Sequence, residues 1–139
     1  MRYVLILLAL SGIVVSSLAL REHYRTEGDA PCDINAKWDC GIVNKSPFAM
    51  IAGVPVAAIG IVGYLLIGVL ALRRAYLLLL APVFFGLGFS LYLAHIERDV
   101  LQVWCVYCVI SLGIISLMTV LVLATVITGI GRRRTAVSN

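Results

Sequence analysis

The stretch Trp104-Cys105-Val106-Tyr107-Cys108-Val109-Ile110-Ser111-Leu112, which runs on without a charge to Ile130, decides how this chain is read. It joins a Cys-x-x-Cys pair to an apolar run. A bilayer-spanning helix takes roughly 20 mostly apolar residues, and this run is long enough. Residues three apart on a helix share a face, so the two sulfurs can meet. The pair stands at the helix N-terminus, where the positive end of the dipole favours a thiolate. Both features lower a cysteine's pKa and raise its reactivity.

Three further apolar runs lie upstream, at 3–20, 48–72 and 75–96, and the fourth covers 105–130. None contains Lys, Arg, Asp or Glu, and apart from Cys and Tyr their only ionisable group is His95. Of the 139 residues, 62% are hydrophobic and 13% charged, with a mean hydropathy of +1.05. A soluble domain has about a quarter of its residues charged. A soluble globular enzyme, a disordered tail and a disulfide-dense secreted miniprotein are all excluded. The expected fold is an all-α membrane protein, one domain over 1–139. It is read as a four-transmembrane-helix up-down bundle with one sizeable polar loop, 21–47, between helices 1 and 2. Arg73 and Arg74 alone separate the second and third runs, which makes those helices antiparallel neighbours. Backbone groups in lipid need internal partners, so helices are the spanning form. Ser16-Ser17-Leu18-Ala19 has the look of a signal-peptide cleavage site. The apolar stretch before it is long for that role, and a bundle without it loses a wall, so the run is read as retained.

Charge orients the bundle. Arg2, Arg73, Arg74 and Arg132-Arg133-Arg134 fall on one side with no acid among them. Arg21, Arg25, Lys37, Lys45 and Arg98 fall on the other, with all seven acids. The first set clusters at helix ends, which places both termini in the cytoplasm by the positive-inside rule. The net charge of +4 is then a topology signal, and no nucleic-acid partner is expected.

The same topology puts Cys32 and Cys40, in the loop, on the outer side with Cys105 and Cys108. Thiols are oxidised in such compartments. Three chemistries fit four cysteines. Structural disulfides are one, although a bundle held by packing in the bilayer needs no staple. A Cys₄ metal site or a metal-transport set is another. Against it, seven residues separate the first pair, and a transporter would carry its ligands within the membrane. The third, preferred here, is a thiol–disulfide relay in which the loop pair meets a soluble thiol protein and the helix pair meets something in the lipid.

The whole pattern resembles the vitamin K epoxide reductase family. It comprises Cys32-Asp33, six residues, Cys40, then Ser46, then Trp-Cys-x-x-Cys at the head of the last helix. Ile51-Ala52-Gly53-Val54-Pro55-Val56, with Gly60 and Tyr64, is similar to prokaryotic members. The resemblance implies a four-helix membrane oxidoreductase with a quinone, ubiquinone or menaquinone, in the bundle near Cys108. It implies a thioredoxin-like (DsbA-type) periplasmic protein as electron donor. Many members carry that domain fused, and this sequence ends at Asn139, so the partner is expected to be a separate polypeptide. By the same resemblance Cys32 faces the partner, Cys40 exchanges with Cys105, and Cys108 reduces the quinone. Ser46 matches the family's serine near the active site. Vertebrate members have a tyrosine where this chain has Leu112, which favours a simple quinone over vitamin K epoxide as acceptor.

Neighbouring residues supply further expectations. Ser46-Pro47 reads as an N-cap with Pro at N1, opening the second helix. Pro55 then falls two turns inside that helix and kinks it. Gly53, Ala57, Gly60 and Tyr64 share a face suited to close helix approach. Phe85, Gly88, Tyr92 and His95 share a face of the third helix. Tyr92 and His95 are read as quinone contacts, together with Ser46, Phe48, Cys108 and Val109. Glu22, Glu27, Asp29, Asp33 and Asp39 make the loop acidic, read as a solvated face that can tune Cys32 or steer the partner. Ile34 and Trp38 suggest a short amphipathic helix lying over the bundle mouth.

Overall fold

The structure is a computed structural model describing residues 1–26 and 31–138. Glu27 and Asp29 lie outside the described residues. In chain order the elements begin with α1 (Arg2–Tyr24), α2 (Cys40–Lys45) and a 3₁₀ turn (Pro47–Ala49). A two-stranded hairpin follows, β1 (Met50–Ile51) and β2 (Val54–Pro55). The chain ends with α3 (Val56–Leu72), α4 (Tyr76–Ile96), a π-turn (Glu97–Leu101) and α5 (Val106–Val137). Three helical stretches, Arg2–Tyr24, Tyr76–Leu101 and Val106–Val137, are long and apolar enough to cross a membrane. The apolar α3 has 17 residues.

The second apolar run does not begin as a helix at 48. Ala52 and Gly53 both take positive φ, 50° and 81°, as a two-residue I′ hairpin loop requires. They reverse the chain so that Met50 pairs with Pro55 and Ile51 with Val54. Pro55 therefore stands at the N-cap of α3 and kinks nothing. Ser46 stands at the N-cap of the 3₁₀ turn, with Pro47 in its first position, and does not cap α3. It ends α2, and its hydroxyl donates to the Val43 carbonyl at 2.7 Å. Gly53 lies in the hairpin loop, off the face that carries Gly60 and Tyr64.

That face meets α1. A methyl group on Gly12 would fall 2.5 Å from the Tyr64 ring, and one on Gly60 would fall 2.9 Å from Ser16 Oγ. Gly68 faces Ala9. The numbers rise along one helix as they fall along the other, so α1 and α3 run antiparallel, with backbones close because glycine stands at the crossing. Gly86 faces Ile115 in the same way, and α4 packs on α5. Helix α1 also packs on α5, and α3 on α4, so the four apolar helices close a ring. Leu5, Ala9, Tyr64, Ile67, Ala71, Leu79, Val83, Ile115, Met118 and Val122 fill it.

The two ends of the ring differ. At one, Arg2 and Arg74 both bring positive charge to Tyr3. At the other, Cys32, Cys40, Val43, Val103 and Cys105 form a second, smaller core.

Candidate functional site

The site is built from the loop inward. Asp33 Oδ1 accepts the Cys40 N–H at 3.0 Å. Asp39 Oδ1 accepts from Ile42 N at 2.9 Å and caps α2, so two of the loop's acids hold its backbone. Glu22 is not on a solvated face. It is 3% exposed and pairs with Arg25. The stretch from Ile34 to Trp38 is a tight turn, with Trp38 N bonded to Asn35 O and Ile34 N to Trp38 O. No lid helix forms, and Ile34 is exposed.

What the turn does instead is clip the loop to the segment before α5. Trp104 N donates to Lys37 O at 2.7 Å, and Asp39 N donates to Trp104 O at 3.0 Å. The rings of Trp38 and Trp104 lie 6.4 Å apart. This parallel pairing brings Cys40, two residues past Trp38, and Cys105, directly after Trp104, into one buried cluster. Both are fully buried, while Cys32 keeps 6% exposure. The Asn44 amide ties them: it donates to the Cys40 carbonyl at 2.9 Å and to Cys105 Sγ at 3.5 Å. Asn44's own carbonyl is bonded by His23 Nδ1. Cys32 and Cys40 are joined in a disulfide, and Cys105 and Cys108 are free thiols. Hydrogen bonding from Cys108 holds the Cys105 thiol below its ordinary range, against burial, which pushes it up.

Cys108, one turn into α5, borders a cavity of about 160 Å³ between the four helices. Its walls are chiefly apolar, among them Ala19, Ile59, Ile67, Phe85, Phe89 and Leu93. Ser46 and Phe48 line it. Tyr92, His95 and Val109 do not. Tyr92 is exposed, and His95 turns outward to Asp99, 2.8 Å away. Of the stripe read on α4, Phe85 lines the cavity, beside Phe89, Ser90, Leu93 and Glu97. The result is an apolar slot with a thiol and a few polar groups on its wall.

Glu97 was not singled out from the sequence. It is 2% exposed. Its Oε2 accepts the Cys105 N–H at 3.1 Å, which places a carboxylate at the N-terminus of α5, where the helix dipole favours it. Its Oε1 makes no hydrogen bond of good geometry among the described residues. The only sequence signal was position, an acid closing an apolar run eight residues before the first CxxC cysteine. Asn44 and His23 were missed as well. Among the described residues no group of three or more His, Cys, Asp or Glu is placed to share a metal ion.

Helices of spanning length with two cysteine pairs gathered at one end define a membrane thiol–disulfide oxidoreductase. The sequence pattern of the Vitamin K epoxide reductase family matches residues 3–123, and the chain belongs to that family. No curated protein matches it.

Proposed function

We propose that this protein oxidises a separate thioredoxin-like dithiol protein and passes the electrons, through its two cysteine pairs, to a membrane quinone. All four apolar helices span the bilayer in this reading. Helix α3 rises about 26 Å at 1.5 Å per residue, close to the roughly 30 Å hydrocarbon core. Both termini lie in the cytoplasm and the cysteines face outward, where the relay supports disulfide formation.

The partner's thiolate attacks Cys32, the more exposed sulfur of the loop disulfide, and Cys40 leaves. A second partner thiol completes the partner's own disulfide and frees Cys32. Cys40 then attacks Cys105 in the Cys105–Cys108 disulfide, and Cys108 leaves as a thiolate. Cys32 closes on Cys40 again, and the two electrons rest on Cys105 and Cys108. A closed loop pair and an open helix pair are what these exchanges leave behind. Each exchange needs a thiolate in line with a disulfide. A quinone in the cavity supplies the two-electron acceptor, and Cys108 and Ser46 stand on its wall.

The observation that carries this reading is the Asn44 amide bound to both Cys40 and Cys105 inside one buried cluster, with Cys108 turned to the apolar cavity. The test uses proteoliposomes containing the protein and ubiquinone or menaquinone. A reduced thioredoxin-fold protein is added, and the quinone's ultraviolet band is followed. The band should fall only when protein, dithiol donor and quinone are all present. An unchanged band with both quinones would contradict the proposal.

A further inference from the structure

Glu97 has more than a structural part to play. Capping α5 through the Cys105 N–H uses only Oε2, and a neutral amide would do that without burying a charge. Oε1 is buried with no hydrogen bond of good geometry among the described residues, and burying a polar group so is costly. It lines the cavity beside Cys108, whose thiol is its electrostatic neighbour. The five-residue π-turn that Glu97 opens interrupts the regular helix at this point. Such π segments gather at functional sites.

We infer that Glu97 is the proton carrier of the CxxC pair, taking the proton that leaves the Cys108 thiol and handing it to the electron acceptor in the cavity. This rests on the thiol-to-quinone reading above. Closing the Cys105–Cys108 disulfide forms one S–S bond and breaks two S–H bonds. Two electrons reduce one quinone to its quinol, and two protons end on its oxygens. The Cys108 proton goes to ionised Glu97 and on to the nearer oxygen. The Cys105 proton exchanges with solvent, and the second oxygen draws its proton from solvent. The other ionisable groups facing the cavity are His23 from α1, Tyr64 from α3 and Tyr107 from α5. His23 is engaged with Asn44 and Tyr64 with Ser111.

Two measurements on Glu97→Gln test this. The first needs no quinone. The reduced protein is alkylated with iodoacetamide across a range of pH, and modification of Cys108 is followed by mass spectrometry. A thiol and a carboxylate that share a proton titrate as a pair. The wild-type rate should therefore rise in two steps and that of Glu97→Gln in one. The second is single-turnover reduction of quinone, expected to slow about a hundred-fold, within the usual range for a lost general acid or base. Exchange of the Cys32–Cys40 disulfide with a dithiol should be unchanged. One step in both proteins, or quinone reduction within about threefold of wild type, overturns the inference. If Glu97→Gln does not fold, Glu97→Asp keeps the ionisable group and should keep both steps; a single step there overturns the inference as well. Wild-type protein that reduces no quinone at all would instead remove the functional reading, and the alkylation profile would still decide whether thiol and carboxylate share a proton.

Discussion

Cys108→Ala protein is expected to reduce quinone roughly a thousand-fold more slowly or worse, since loss of a nucleophile that acts within a unit removes nearly all of that unit's rate. Cys108 is the cysteine that borders the apolar cavity, whereas Cys105 is fully buried behind it. With Cys108 gone, no sulfur faces the acceptor. The loop pair is untouched, because Asp33, Asp39 and the Trp38–Trp104 clip hold it independently. Exchange between a dithiol partner and Cys32–Cys40 should therefore proceed at the wild-type rate. Stopped-flow absorbance of the quinone and gel-shift trapping of the partner read the two halves separately. Undiminished quinone reduction in Cys108→Ala would mean that electrons leave by another route.

Cys40→Ala is expected to cut partner-driven turnover by a similar factor, roughly a thousand-fold, at the opposite end of the relay. Here Cys105 and Cys108, once reduced chemically, should still reduce quinone in a single turnover. What fails is the link between pairs, since Asn44 ties Cys40, and not Cys32, to Cys105 within the buried cluster. Cys32, now a lone thiol, offers a reduced partner no disulfide to attack. A single-cysteine partner supplied as an activated mixed disulfide is instead captured by the Cys32 thiolate, its activating group leaves, and no Cys40 is present to release it. A mixed disulfide of Cys32 with the partner should accumulate and be identified by peptide mapping. A partner trapped on Cys105 would reverse the assigned order. Asn44 sets the geometry of this step, but its loss leaves both sulfurs in place, so its effect should be the smaller.

Much of this was legible in the sequence because uncharged apolar runs bounded by arginines admit few arrangements. The third and fourth runs, read as 75–96 and 105–130, correspond to Tyr76–Ile96 and to a helix that begins at Val106. Sorting the charges put all four cysteines together, and Cys32, Cys40 and Cys105 do share one core. The start of α3 was obscured because Met50, Ile51 and Val54 are as apolar as the helix they precede. The Ala52-Gly53 turn and Pro55 were the signals there, and hydropathy outweighed them. The face of α4 was read only in part, for another reason. Phe85, Tyr92 and His95 look like a functional stripe, yet only Phe85 lines the cavity, while Tyr92 and His95 lie on the outside of the bundle. Hydrophobicity does not say which face turns inward, since lipid is as apolar as the core. Glu97 and Asn44 act through contacts with residues that only the folded chain brings near, Cys105 above all.

The most direct test of the two-pair relay is a count of electrons. The protein is reduced completely, freed of reductant and mixed with excess quinone in lipid, and the quinol formed per chain is measured. Four thiols closing into two disulfides release four electrons, enough for two quinols per chain. The account predicts two for the wild type and one for Cys40→Ala, whose helix pair alone remains oxidisable. One quinol per wild-type chain would show that the loop pair does not communicate with the helix pair, and would contradict the relay.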